Sequence, residues 1–318
     1  MPSRWGALWR RRLERSRDEP GCAAVLAGGE EGLLAVVAFR ARWALGVPVV
    51  VIAGCALTAR PVGELPQERG QAVQETESDA VRLDRLAKEV LAASQARPED
   101  AQAALAATVL LFQAADLHLQ RGWVAALDAR PGASIEQVLG ADEWIAEELR
   151  GEILSLCTAG LEVAERAAAL RPGDVAAELH RGLHLSLIAW ANGPARSLLA
   201  GYGPRLVAAM DAAVAADPTF DHAAPLRLQG RFRGKAPWPF GDLELARSAL
   251  SRACDQAPIT VNRLFYGDVL WAAGEREAAR DQWQAAASAE GVESTRWSQP
   301  LLQELARRRI AALASGGA

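Results

Sequence analysis

Two histidines one helical turn apart, His180 and His184 in "ELHRGLHLSL", are the residues whose spacing could grip a metal from one helix face. No Glu follows His180 as it would in an H-E-x-x-H site, and no third ligand stands nearby in sequence, so ordinary helix positions are expected. No metal and no cofactor is assigned. His118 and His222 are isolated, each expected to make a local hydrogen bond. The acid pairs Asp142–Glu143 and Glu147–Glu148 lie on helical stretches and read as solvated faces. The chain carries no Ser-His-Asp spacing, Walker loop or dinucleotide glycine pattern, so it is read as non-enzymatic, with no catalytic residue.

Binding chemistry is the remaining class, and it concentrates in residues 230–246, "GRFRGKAPWPFGDLELA". Arg231, Arg233 and Lys235 could meet a carboxylate, which suits an organic-acid ligand; as isolated residues they could equally face solvent. Phe232, Trp238 and Phe240 beside them could form a recognition surface or a lid. Two prolines push the residues before them out of the helical region, so "KAPWPF" is expected to be a stiff extended loop over a helix junction. Asp242 is placed to cap the helix that follows, with Gly241 allowing a sharp approach. Trp190, Trp271 and Trp283, at helical spacing, are read as core.

The elements that must position this segment are helices. Half of the 318 residues are hydrophobic, and alanine and leucine predominate, which favours an all-α fold. Four segments end in Ala, four residues, then Pro: Ala93 to Pro98, Ala167 to Pro172, Ala213 to Pro218 and Ala253 to Pro258. Three residues before each Ala stands Val90, Ala164, Met210 or Leu250, on the same helix face, where a small Ala lets a neighbouring helix come close. The proline stops the helix, and the unit is a helical hairpin. With Tyr266, Gly267 and Leu270 on one helix, Gly274 at the turn, and Ala279, Trp283 and Ala286 on the next, the pattern resembles the tetratricopeptide repeat. The expected domain is a tetratricopeptide-like array, an α-solenoid, over residues 79–318. Insertions are expected at 122–142 and 192–204, one long helix over Asp142–Arg171, and a capping helix over Pro300–Ala314.

Ahead of the array, residues 56–78 hold two prolines and two glycines without apolar periodicity and read as a flexible linker. Trp43–Ala59 is an apolar run behind Arg40 and Arg42, a secretion signal or an uncleaved membrane anchor. Its Ile52-Ala53-Gly54-Cys55 resembles the lipobox of bacterial lipoproteins, which implies lipidation of Cys55 and removal of the 1–54 leader. The leader is long for a signal, so translation is expected to begin near Val36 or Val37. Residues 1–54 carry eight Arg against five Asp and Glu, so the remainder has a net charge of −7 where the whole chain has −4. An acidic chain without a long basic run past residue 17 excludes nucleic acid as the expected partner. Cys157 and Cys254 would then remain, as buried small side chains or as a disulfide.

The spacing Gly230, Phe232, Pro237, Gly241, Asp242 and Ala246 resembles a segment of the TRAP-transporter T-component proteins. Those are periplasmic lipoproteins of tetratricopeptide-like hairpins that are thought to cooperate with a solute-binding protein and to offer an apolar cavity. The resemblance implies a non-catalytic, lipid-anchored binding or scaffold protein on the periplasmic side of the envelope, accessory to a TRAP-type importer, with a solute-binding protein as partner and an apolar or organic-acid ligand. Ala56 after the Cys points to the outer membrane. The alternative is a general tetratricopeptide scaffold for protein–protein interaction.

Overall fold

Helix boundaries follow from capping chemistry. Asp100 accepts from the backbone N–H groups of Gln102 and Ala103, and Asp174 from those of Ala176 and Ala177, so two helices begin where an acid satisfies otherwise unpartnered donors. Ser134 and Gln137 form a reciprocal capping box. At the other end, helices stop two or three residues before Pro98, Pro172, Pro218 and Pro258.

A computed structural model of the chain describes residues 71–315, with side chains from 79 to 314. The leader, Cys55 and the start of the linker lie outside the described residues. In order the helices are α1 (Gln71–Gln95), α2 (Ala101–Asp128), α3 (Ile135–Leu139), α4 (Glu147–Leu170), α5 (Val175–Leu199), α6 (Tyr202–Ala216), α7 (Phe220–Lys235), α8 (Leu243–Gln256), α9 (Thr260–Ala273), α10 (Arg276–Ser288) and α11 (Gln299–Ser315). Short 3-10 turns lie at Ala141–Trp144 and Glu293–Thr295, and no strand occurs among the described residues. The protein is all-helical, its helices packed in sequence-adjacent pairs: α1 on α2, α4 on α5, α5 on α6, α7 on α8, α9 on α10. The long apolar α2 is central, touching α1, α4, α5 and α11.

The expected motif packs as proposed in three of its four copies. Ala167, Ala213 and Ala253 are fully buried, as are Ala164, Met210 and Leu250 three residues earlier. In the first copy Ala93 is exposed and Ser94 is buried instead, its hydroxyl and carbonyl accepting from Arg166 of α4. The helix there is rotated by one position so that a polar residue can meet that guanidinium. Gly267 and Trp283 show why the last copy reads so clearly: a Cβ on Gly267 would lie 2.4 Å from the indole nitrogen of the buried Trp283. Trp190 and Trp271 are half-buried against the same core.

Other boundaries moved. Gln71 opens α1, inside the segment expected to be a linker. The long helix expected from Asp142 is broken, because Ile145 and Ala146 are extended and Ile145 turns its side chain into the core. The inserts are compact rather than looped out. In the first, α2 runs on to Asp128, and α3 with its 3-10 turn follows. In the second, α5 kinks at Gly193 (φ 76°) before Pro194 and continues to Leu199. The helix over Pro300–Ala314 is present as α11. It does not merely cap the chain's end, since it packs on α9, α10, α2 and α3, with Leu301 beside Leu83 and Leu111 and Arg308 paired to Asp128.

One turn is strained. Asp221, His222 and Ala223 all have positive φ (43°, 57° and 62°), a conformation that costs an L-residue roughly 1–2 kcal/mol. Asn262 holds it: fully buried on α9, its amide donates to the carbonyls of His222, Ala253 and Ala257, while its oxygen accepts from Arg227.

The close approaches make a direct test. Gly160→Ala, whose Cβ would lie 2.1 Å from the His184 ring, and Gly267→Ala are each expected to lose about 1–3 kcal/mol in urea unfolding. Gly151→Ala, with nothing within 4 Å, should gain about 0.5–1 kcal/mol from helix propensity. Equal stabilities across the three would contradict the packing described.

Candidate functional site

Arg231 and Lys235 are four residues apart on α7, so both side chains emerge from one face, and that face is the inner one. Arg231 Nη1 donates to Asp268 Oδ2 of α9 at 2.9 Å. Arg309 of α11 grips the same carboxylate with two nitrogens, Nε to Oδ1 at 2.7 Å and Nη2 to Oδ2 at 3.0 Å, the forked geometry that suits guanidinium to carboxylate. Trp283 of α10 adds its indole N–H to Asp268 Oδ1 at 3.1 Å. Lys235 donates to the Leu139 carbonyl at 2.9 Å and stands 3.5 Å from Asp142 Oδ1 in the 3-10 turn. The guanidinium of Arg231 also lies over Phe265 (4.3 Å) and toward Trp123 (5.7 Å), whose faces attract cations.

Electrostatics keep these carboxylates charged. Burial alone would raise the pKa of Asp268, whose side chain is 6% exposed, but Arg309, Arg231 and Lys235 outweigh it and hold it below the carboxylate range. Asp142 is treated likewise: burial raises it, and Lys235 with Arg231 more than compensates. Carboxylates locked in the ionised form do not deliver protons near neutrality, so the arrangement is suited to holding charge. Two voids of about 10 Å³ each flank Arg231, about the room one water needs.

Residues 236–242 leave α7 and cross the outside. Arg233, two positions from both Arg231 and Lys235, projects away from the centre and donates to the Phe240 carbonyl at 2.9 Å; the Asp242 N–H returns to the Arg233 carbonyl. Phe240 stacks at a tilt on Phe232 and sits on Gly203 of α6, where a Cβ would come within 2.4 Å of its ring. Gly241 passes so close to the Ala236 carbonyl that a Cβ would lie 2.1 Å from it, and Asp242 caps α8 through the Leu245 N–H. Trp238 points outward, 89% exposed, next to the exposed Pro239. The exposed Leu198 and Leu199 end α5, just before the Gly203 that Phe240 covers.

The six residues singled out in sequence are thus separated. Arg231 and Lys235 join an internal ion-pair centre, Arg233, Phe232 and Phe240 brace the loop, and Trp238 is displayed by it. Asp142, expected on a solvated face, instead belongs to the centre, since Lys235 reaches it from α7; Glu147 and Glu148 are exposed as expected. Asp268 and Arg309 were missed, although both interrupt apolar helix faces: Asp268 follows Leu264 by four, and Arg309 follows Leu305 by four.

The histidines take structural positions. His184 is fully buried, its Nε2 donating to the Thr108 carbonyl at 3.1 Å, and burial first, then His180, push its pKa down to about 3. His180 bonds the Ala176 carbonyl, and Phe112 packs edge-on to both rings. His118 pairs with Asp84. No group of three potential metal ligands exists among the described residues. Cys157 and Cys254 are free thiols, and burial raises both, Cys254 to about 12, which leaves little thiolate.

Fold and centre together define an all-helical protein of packed hairpins joined internally by ion pairs. Compared with protein-family models and with curated proteins, the chain matches none.

Two outcomes check the electrostatics. Asp268→Asn is expected to cost about 3–5 kcal/mol at pH 7, because Arg309 and Arg231 then lose their buried counter-charge. The folded pKa of Asp268 lies below its ordinary 3.8, so its stabilisation is complete above that value and is lost as pH falls through the folded pKa. Acid unfolding of the Asn variant should accordingly be flatter below pH 3.8. For His184 the unfolded chain takes up a proton near pH 6.5 and the native state does so near 3. Stability should decline across that interval by up to about 1.4 kcal/mol per pH unit. Urea titrations at pH 7.5, 5.5 and 4.5 read this, and a level profile would exclude a neutral buried His184.

Proposed function

We propose that this protein is a non-catalytic binding component displayed outside the cytoplasm, a tetratricopeptide-like array tethered through a lipidated Cys55 and acting as an accessory of a TRAP-type importer. The observation that carries the reading is Trp238, an almost fully exposed indole on a loop that Arg233, Phe240 and Gly241 tie to the helices. A large aromatic presented on a braced loop offers contact area at little cost in loop ordering, which is how interface anchors work. The partner in this reading is a periplasmic solute-binding protein that meets the loop and the Leu198–Leu199 edge. The charged centre braces α7, on which the loop is mounted.

A second reading, a general envelope scaffold without a ligand cavity, is favoured by one observation. The voids at the centre hold about 10 Å³, far below the several hundred that a metabolite pocket requires.

Photo-crosslinking from position 238 in cells distinguishes them. Capture of a solute-binding protein supports the importer accessory, and capture of other envelope proteins supports the scaffold. No crosslink at 238, with capture from positions on the opposite face, overturns the loop as the contact. Intact mass of the native protein should show a diacylglyceryl-modified Cys55 as the first residue; retention of residues 1–54 would remove the anchor from the proposal.

A further inference from the structure

The indole N–H of Trp123 has no acceptor. Trp123 on α2 is 7% exposed, and its ring lies toward the Arg231 guanidinium, but its Nε1–H meets neither a carbonyl nor a side chain. The indole of Trp283, by contrast, donates to Asp268 and to the Leu264 carbonyl. A donor withdrawn from water and left unmet is costly, and protein interiors answer such groups with a partner or with an ordered water.

Room for a water lies beside it. The void that Trp123 lines is also lined by Asp142, Arg231 and Arg309, with the buried Val138 and Leu305 behind them, and it measures about 10 Å³. Burial would raise the Asp142 pKa, but Lys235 and Arg231 more than offset it, so this carboxylate is ionised and can only accept. The occupant must therefore take a hydrogen bond from the indole and give one to a carboxylate. A halide would accept from Trp123 but would face the negative charge of Asp142, and an ammonium ion has no lone pair for the indole. Water does both. The other void, also about 10 Å³, differs in its walls, which include Leu139, Gly234, Val269 and Ala272. Its Asp268 is met by Arg309, Arg231 and Trp283, and its Lys235 by the Leu139 carbonyl and Asp142. Among the described residues its lining leaves no buried side-chain polar atom unmet, and cavities of that kind stay dry.

We propose that the centre binds one fixed water in the void beside Trp123, accepting from the Trp123 Nε1–H and donating to the Asp142 carboxylate, while the void beside Val269 is dry. The water joins α2 to the 3-10 turn at Ala141–Trp144. It also holds the indole at one rotation, so that the ring stays toward Arg231, where it attracts the guanidinium. This site serves the interior of the protein, independently of any partner at Trp238.

Nuclear magnetic resonance of the full chain tests it. A cross-peak between water and the Trp123 indole proton is expected in NOESY with the sign of the diagonal and in ROESY with the opposite sign, the pattern of a long-lived contact rather than of proton exchange. Asp142→Leu removes the acceptor and keeps the indole as reporter, and the cross-peak should be lost in it. Where that variant does not fold, a crystal structure of the wild type decides, with density expected within about 3.2 Å of both Trp123 Nε1 and an Asp142 oxygen, and none beside Val269. A resolved Trp123 indole without a water cross-peak, a cross-peak that survives unchanged in Asp142→Leu, or no density between Trp123 and Asp142 would overturn the proposal.

Discussion

The carboxylate of Asp268 is the join on which the architecture rests. Rooted on α9, it accepts from Arg231 of α7, Trp283 of α10 and Arg309 of α11, and it is nearly withdrawn from water. An ion in that position is tolerable because every donor is present; without them its desolvation would cost several kcal/mol. The requirement fixes α11. To bring the 3% exposed Arg309 to Asp268, this helix must lie inward across the array, where it also meets α2 and α3. The interior that an open stack of hairpins would leave as a groove is thereby filled.

With the inside filled, the exposed aromatic of the crossing loop lies on the outside, and α7 links the two. Residues two apart on a helix point to nearly opposite sides, so Arg231 and Lys235 reach the centre while Arg233 reaches the loop. The same rigid turn that seats the guanidinium of Arg231 therefore anchors Phe240 and displays Trp238. Gly203 and Gly241 complete the arrangement by letting the loop press against α6 and its own backbone. The two prolines that looked out of place in a helical chain keep this crossing short and non-helical.

Much of the fold was readable because its signals are local. Proline after the last turn, Asp242 at a helix start and Trp283 in the core each act within one hairpin, and each appears in the structure where the spacing put it. What could not be read depends on contacts between distant residues. Arg231 meets a partner 37 positions away, Lys235 a carbonyl 96 away, and Arg309 an acid 41 away. An Arg on a helix looks the same in sequence whether it faces solvent or an Asp on another helix. The helical-face signal existed for Asp268 and Arg309, four residues after Leu264 and Leu305, and required treating a charge on an apolar stripe as a partner still to be found. Ala93 failed for a related reason, since a guanidinium on α4 decides which residue of α1 turns inward.

Alanine-rich helix faces explain why such polar joins are needed at all. A stripe of small side chains packs nearly as well after sliding by one turn, so apolar area alone discriminates weakly between registers. A directional group changes that. Displacing α11 by a turn would carry Arg309 away from Asp268 and leave both charges buried, a penalty of several kcal/mol that a displaced alanine does not incur. His184 does the same at the α2–α4–α5 junction: its ring fits over Gly160 and bonds Thr108, whose hydroxyl in turn donates to the Gly160 carbonyl. Asn262 repeats it at the α7–α8–α9 junction through three carbonyls. Each join places one polar side chain where three or four helices meet, and each is answered only in the native register.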